Sequence, residues 1–399
     1  MPKIGMVCYF DPDTYPGVYN SCNILAEQGW EVDVICIDQY GFCGKSFDPR
    51  VQLHRIHNRQ MKRKQGGFGR FTQLIWCTRR VGRKHNWDTV IGHDMYGFVA
   101  ARLSGVVKAS KVAFWSQDLA EPARLSIGQK IIFLLKKYFL KDCLLVAAPS
   151  RMRAEALKLF FGLRVEPKIV YNSPRFNTVV TKENWRSRLG IKPNSPIVIY
   201  GGGFGRDRYV PELVESVALW PKESFLVLAG YGQPEMIEEL QNISRREGIS
   251  DRVFIVGHLP SIFGLIQEAQ VGVSFFTCGN HHNRNLYFRG LASNKIFEYL
   301  SMGKPSVVSH NEETAALMDE FRCGVCVSDH TPPAIAEVIT RLLTDDQALE
   351  NLSRNALATH QRETYFENRF SVVQRSLSRI IQGRGPATHT NITMDSNNG

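Results

Sequence analysis

The sequence predicts an α/β protein made of two parallel-sheet domains. Short β-branched runs alternate with helical segments from end to end, and this alternation restarts near the middle of the chain. The runs also end in short polar or glycine-rich segments, as strands do where a parallel sheet opens onto a ligand. With 399 residues and 43% apolar content, there is enough material for two cores.

The first series opens with a strand over residues 4–9, a helix over 19–28 and a strand over 31–37. Further strands are expected at 89–92, 111–115 and 144–148. Asn172-Ser173-Pro174 begins a polar stretch that ends at Pro193-Asn194-Ser195-Pro196, and the boundary is placed there. Strands then recur at 197–200, 225–229, 253–256, 271–275 and 305–308. The reading is an N-terminal domain over 1–172, a C-terminal domain over 173–382 and a polar tail over 383–399 expected to be disordered.

Composition narrows the function classes. No signal peptide is read before the first strand, and no apolar run approaches the roughly 20 residues of a spanning helix. Nine scattered cysteines suit reduced thiols, so a cytoplasmic setting is expected. Cys323-Gly324-Val325-Cys326 has metal-like spacing, but it has no second pair and falls where a short strand is expected. The net charge is +11, and residues 55–87 hold ten Lys/Arg and no acid, interleaved with Phe68, Phe71, Leu74, Ile75 and Trp76. Such a segment suits nucleic acid or anionic lipid. No nucleic-acid reading motif accompanies it.

The most informative run is Ser293-Asn294-Lys295-Ile296-Phe297-Glu298-Tyr299, closed by Gly303-Lys304-Pro305 and a buried strand. Ser293 is expected to cap a helix, which places Asn294 and Glu298 on one face beside Lys295. A helix N-terminus with a lysine suits a diphosphate, and a carboxylate one turn later suits sugar hydroxyls. Gly201-Gly202-Gly203-Phe204-Gly205-Arg206-Asp207-Arg208 ends the first strand of the second series. Its glycines let amides approach a phosphate and its arginines add charged donors. It is not a dinucleotide fingerprint of the GxGxxG kind.

These segments resemble retaining GT-B glycosyltransferases of family 4, in which two Rossmann-like domains face each other across a cleft. The resemblance covers most of residues 1–382. It implies transfer of a sugar, of hexosyl type, from a nucleoside-diphosphate donor to a glycan or lipid-linked acceptor in surface polysaccharide or glycolipid biosynthesis. It assigns Arg208 and Lys295 to the diphosphate, with Arg206 second, and Gly203, Asn294 and Glu298 to the donor. Gly232, in Gly230-Tyr231-Gly232, and His258, in Gly257-His258-Leu259, are implied as nucleoside contacts. Gly17, His93, Asp94, Gln117 and Asp118 are implied on the acceptor side, the aspartates as orienting groups.

This chain departs from the family in several places. Gly290 stands where a first glutamate is frequent, Tyr209 where a glycine follows the basic residue, and Gln117 where relatives often carry histidine. A glutamine cannot take a proton. For a retaining enzyme the resemblance therefore implies front-face transfer, with the leaving phosphate oxygen as the base. It also implies no metal or other cofactor in the site, a last helix from about residue 364 crossing back to the first domain, and peripheral contact of residues 55–87 with the inner membrane face. The segment with Cys278, His281 and His282 is read as a donor-site loop. A catalytically degenerate nucleotide-sugar-binding scaffold and a sugar-nucleotide epimerase of the same architecture are the alternatives.

Overall fold

The computed structural model describes residues 1–38, 46–57, 67–118, 125–178, 180, 183–277 and 293–383. Gly290, Cys278, His281, His282 and the tail from 384 lie outside the described residues.

Among the described residues, the first sheet has seven parallel strands. They are β1 (Lys3–Val7), β2 (Glu31–Asp38), β3 (Val51–His57), β4 (Thr89–His93), β5 (Val112–Trp115), β6 (Val146–Ala148) and β7 (Lys168–Ile169), in the order β3-β2-β1-β4-β5-β6-β7. The crossovers are α1 (Pro16–Glu27), α2 (Gly67–His85), α3 (Asp94–Ser104), α4 (Ile127–Leu140) and α5 (Arg151–Phe161). The second unit begins with α6 (Trp185–Leu189). It has six parallel strands, β8 (Ile197–Gly203), β9 (Phe225–Tyr231), β10 (Val253–Gly257), β11 (Val271–Ser274), β12 (Ser306–Ser309) and β13 (Gly324–Val327), in the order β10-β9-β8-β11-β12-β13. Its helices include α7 (Val210–Ser216), α8 (Pro234–Arg246), α9 (Phe263–Glu268), α10 (Asn294–Ser301), α11 (Glu312–Phe321), α12 (Pro332–Thr344) and α13 (Asp346–Thr359). A final helix, α14 (Phe366–Ile381), returns to the first sheet.

Both sheets are covered on two faces, which is why their strands read as nearly continuous apolar runs. Along β2, Val32, Val34 and Cys36 enter one core with α1 and α14, whereas Ile35 and Ile37 enter the other with α2 to α5. Phe366, Phe370, Val373, Leu377 and Ile380 of α14 complete the first of these cores. Phe370 stacks on Trp115 at 5.8 Å and on Phe366 at 5.5 Å.

Strand β3 was not anticipated, and it changes the meaning of the basic segment. Arg55 belongs to this strand and ion-pairs with Asp11 and with Asp13 (2.6 Å), both buried in the loop after β1. Phe71 and Leu74 are core residues, whereas Trp76 of the same helix is 57% exposed with Arg80 over its ring at 5.2 Å. Residues 59–64 lie outside the described residues. No helix among the described residues is long and apolar enough to cross a membrane.

Each sheet has one position where the crossovers change direction, between β1 and β4 and between β8 and β11. The carboxyl ends of strands at such a switch point splay apart and leave a crevice. The two crevices face one another.

Truncating Phe370 to alanine removes one of the two fully buried phenylalanines that α14 contributes to the first core. The expected cost is about 3–5 kcal/mol, measured by denaturant unfolding.

Candidate functional site

A cleft of about 540 Å³ lies between the two switch points. Its first-unit wall includes Tyr15, Gln117, Asp118, Arg153 and Asn172. Its second-unit wall is formed by the ends of β8, β9 and β11 and by the first turn of α10.

Helix α10 is seated by Tyr299. The hydroxyl of this residue donates to the Val273 carbonyl (3.1 Å) and accepts the Gly201 amide (3.0 Å), which joins the helix to β11 and β8 together. Ser293 occupies the N-cap position without capping through its side chain, and its hydroxyl instead lies 3.2 Å from that of Ser274. The first amides of α10 are therefore not capped by that hydroxyl.

Lys295 lies buried beneath the glycine-rich strand end. Its ammonium donates to the Tyr200 hydroxyl (3.2 Å) and stands over the Tyr200 and Phe276 rings at 4.5 and 5.2 Å. Gly202, at φ +122°, admits it, because a Cβ there would meet Lys295 Cε at 2.5 Å. Arg208 donates to the Gly203 carbonyl (3.0 Å) and stacks at 5.9 Å over the same Phe276. Burial, then the Arg208 charge, push the Lys295 ammonium down to about 7, while Glu298 and Asp207 oppose the shift. Two cations thus converge on one strand end at a helix N-terminus, where an anion would stabilise both.

The first-unit wall is held from behind. Asp94, at φ +53°, accepts the amides of Gln117 (2.6 Å) and Asp118 (2.9 Å). Burial and the Asp118 charge raise its carboxyl to about 7. Arg153 donates to the Gln117 carbonyl and meets the Asp118 carboxylate at 3.2 Å, and the Tyr15 hydroxyl reaches Asp118 at 3.3 Å. Among the described residues, neither polar side-chain atom of Gln117 nor Oδ1 of Asn172, all buried, has a hydrogen-bond partner. Gly17 leaves space for them, since a Cβ there would lie 2.7 Å from Asn172 Oδ1 and 3.2 Å from Gln117 Nε2. Orphaned amide groups facing a cleft suit a hydroxylated ligand.

Two family models match this chain, "Glycosyl transferases group 1" over residues 195–345 and "Glycosyl transferase 4-like" over residues 6–138. The chain is a glycosyltransferase, with a group 1 domain over the first of these ranges and a 4-like domain over the second. It is 24% identical over 313 residues to a D-inositol 3-phosphate glycosyltransferase of Xylanimonas cellulosilytica, which covers 75% of this chain and 69% of that protein. A sucrose-phosphate synthase from Thermosynechococcus elongatus superposes with a TM-score of 0.73 at 16% identity, over 96% of this chain and 100% of that one. The Anabaena HepE protein, solved with UDP, gives 0.71 at 16% identity over 95% and 100%. These two structural likenesses establish the GT-B architecture.

In this glycosyltransferase the cleft brings together Gly203, Arg208, His258, Asn294, Lys295 and Glu298 from the second unit, with Gln117 and Asp118 from the first. Gly17 underlies them, next to Gln117 and Asn172. Four expected residues stand elsewhere. Arg206 turns away to ion-pair with Glu239 of α8, because it heads a short 3-10 turn that points outward. His93 is fully buried and stacked on Trp115 at 5.6 Å, and burial pushes its imidazole down to about 3. Gly232 lies outside the lining, packed on Phe204. Asp94 also does not line the cleft and acts through the backbone it clamps.

Sequence reasoning missed Tyr15, Arg153, Asn172, Tyr200 and Phe276 as site residues. Asn172 carried a signal, because it opens the polar stretch between the two series. The others become visible only when separate strands meet. Tyr209, at the family's glycine position, keeps the left-handed conformation (φ +49°) and stacks on His330 at 4.0 Å, which offsets the strain.

A bound diphosphate stabilises the charged form of Lys295. Above about pH 7 the free protein must therefore take up a proton to bind, whereas below pH 7 it need not. Titration calorimetry with nucleoside diphosphates should show affinity falling as pH rises from 7 to 9, with a flat profile in Lys295→Arg.

Proposed function

We propose that the chain transfers a sugar, with retention of configuration, from a nucleoside diphosphate donor to a glycan or lipid-linked acceptor in surface polysaccharide or glycolipid biosynthesis. The observation that carries the donor class is the convergence of Arg208 and Lys295 on the Gly202-Gly203 strand end, beside the start of α10. The leaving diphosphate rests there, and Glu298 and Asn294 meet the sugar. His258, exposed beside Tyr231, borders the base. UDP is the first nucleotide to test, since HepE was solved with it.

Front-face transfer suits the acceptor wall. Gln117 cannot accept a proton, Asp118 is paired with Arg153, and the Asp94 carboxylate is occupied by two amides. The leaving phosphate oxygen then takes the acceptor proton, while Gln117, Asn172 and Asp118 orient the hydroxyl. The two cations neutralise the leaving group, so the reading requires no metal or other cofactor in the cleft.

A membrane-borne acceptor also fits a second surface, beyond the basic segment. Along α4, Ile127, Ile131, Leu134 and Tyr138 are 81, 56, 63 and 63% exposed and form one helical stripe, flanked by exposed Lys130, Lys137 and Lys141. We read this helix as lying on the inner leaflet of anionic membrane.

Thermal-shift screening against UDP-, GDP-, ADP-, dTDP- and CMP-sugars should identify one stabilising donor. Lys295→Ala and Arg208→Ala should each lower kcat/KM by about 10²–10³. Unchanged turnover in Lys295→Ala would refute the assignment, and product formed without acceptor would identify an epimerase. Co-sedimentation with phosphatidylglycerol vesicles should be lost in Ile131→Asp/Leu134→Asp, with donor binding intact. Equal sedimentation of that variant would exclude α4 as the contact.

A further inference from the structure

A second group of chemistry-bearing residues lies outside the cleft, on the α2 face of the first sheet. On β2 the neighbours of Asp33 on this face, Ile35 and Ile37, are core residues, yet Asp33 itself is 4% exposed. The β2–β3 register sets Asp33 opposite Gln52 and Ile35 opposite His54, so Asp33 and His54 share a face one diagonal step apart. His54 Nε2 lies 2.6 Å from Asp33 Oδ1, and His85 Nδ1, at the end of α2, lies 2.7 Å from Oδ2. The Trp87 indole donates to Oδ2 at 2.7 Å. One ligand atom from each of Asp33, His54 and His85 lies within 4.8 Å of the others. The two imidazoles keep one side open, with 30% and 21% of their side chains exposed.

This carboxylate is compensated in an unusual way. A buried carboxylate normally requires a cation or several donors. Among the described residues, the ion-pair partners of Asp33 are two imidazoles, with no lysine or arginine. Two imidazoles and a carboxylate from three separate elements are instead the donor set of a three-ligand transition-metal site.

We propose that Asp33, His54 and His85 bind a divalent transition ion of the Zn²⁺ type. Zn–N and Zn–O bonds of about 2.0–2.2 Å separate tetrahedral ligand atoms by roughly 3.4 Å. His54 and His85 now meet different oxygens of Asp33, at 2.6 and 2.7 Å, so binding through one oxygen turns the other imidazole toward it, within the 4.8 Å span of the three ligand atoms. Trp87 holds the carboxylate in place, as an outer hydrogen bond does around metal ligands. Water fills the fourth position on the exposed side. Harder ions are disfavoured, because Mg²⁺ and Ca²⁺ select oxygen donors. None of the three residues lines the cleft, so the ion serves stability by tying edge strand β3 and the end of α2 to β2.

The test is titration of chelator-treated full-length protein with Co²⁺ and Zn²⁺. The expected result is one equivalent bound, with a visible Co²⁺ ligand-field band, no thiolate charge-transfer band and a higher Tm with Zn²⁺. The missing thiolate band separates this site from any formed by the nine cysteines. His54→Gln and His85→Gln should each weaken binding by at least about 100-fold, remove the band and abolish the Tm increase. Their far-UV spectra and cooperative unfolding should match the parent. Absence of saturable binding in the parent protein, or binding that survives both substitutions, would overturn the proposal and leave a hydrogen-bonded Asp–His–His cluster.

Discussion

The cleft depends on the seating of α10 across the ends of β8 and β11. The Tyr299 ring lies so close to β11 that a Cβ on Gly272 would meet it at 2.3 Å, and its hydroxyl satisfies a backbone group on each strand. One buried side chain therefore fixes the helix at the topological switch point. Lys295, one turn earlier, is carried under Gly202 as a consequence, and Asn294 and Glu298 are turned toward the cleft. If the helix were displaced by a fraction of a turn, Lys295 would no longer reach the Tyr200 hydroxyl.

The first unit supplies the opposite wall by clamping backbone rather than by presenting charge. Asp94 and Arg153 hold the loop at Gln117 from both sides, one through its amides and the other through its carbonyl. Arg55 fixes the loop after β1 through Asp11 and Asp13. The charges nearest this wall are thus committed to geometry. Among the described residues, what remains unpaired there is amide, at Gln117 and at Oδ1 of Asn172, which can orient a hydroxyl without withdrawing its proton.

Much of the fold was legible because parallel strands buried on both faces leave continuous apolar runs, and the restart after Asn172 separated the two series. The second-unit site was legible for a related reason. Asn294, Lys295 and Glu298 lie on one helix, and Gly203 and Arg208 on one strand end, so local spacing encodes their convergence. The first-unit site was harder to read because its geometry depends on contacts between distant segments. His93 and Asp94 are adjacent in sequence, yet one is buried against Trp115 and the other clamps a loop 23 residues away. Strand β3 was hidden because Arg55 and its neighbours read as surface charge. Only the pairing with Asp11 and Asp13 shows why a basic residue belongs in an edge strand.

The chemistry of Lys295 also sets how the second unit trades stability for function. Burial and Arg208 hold its pKa near 7, well below an unfolded lysine. Between those two values the unfolded chain binds more protons, so this residue makes the fold more stable as pH rises through that window and less stable as pH falls toward 7. Near neutral pH the ligand-free protein thus carries a desolvated cation beside a second one. A diphosphate reverses both unfavourable contributions at once, by pairing the ammonium and by screening it from Arg208. The site is built at a cost to the empty fold, and the leaving group of the proposed reaction is the species that relieves it.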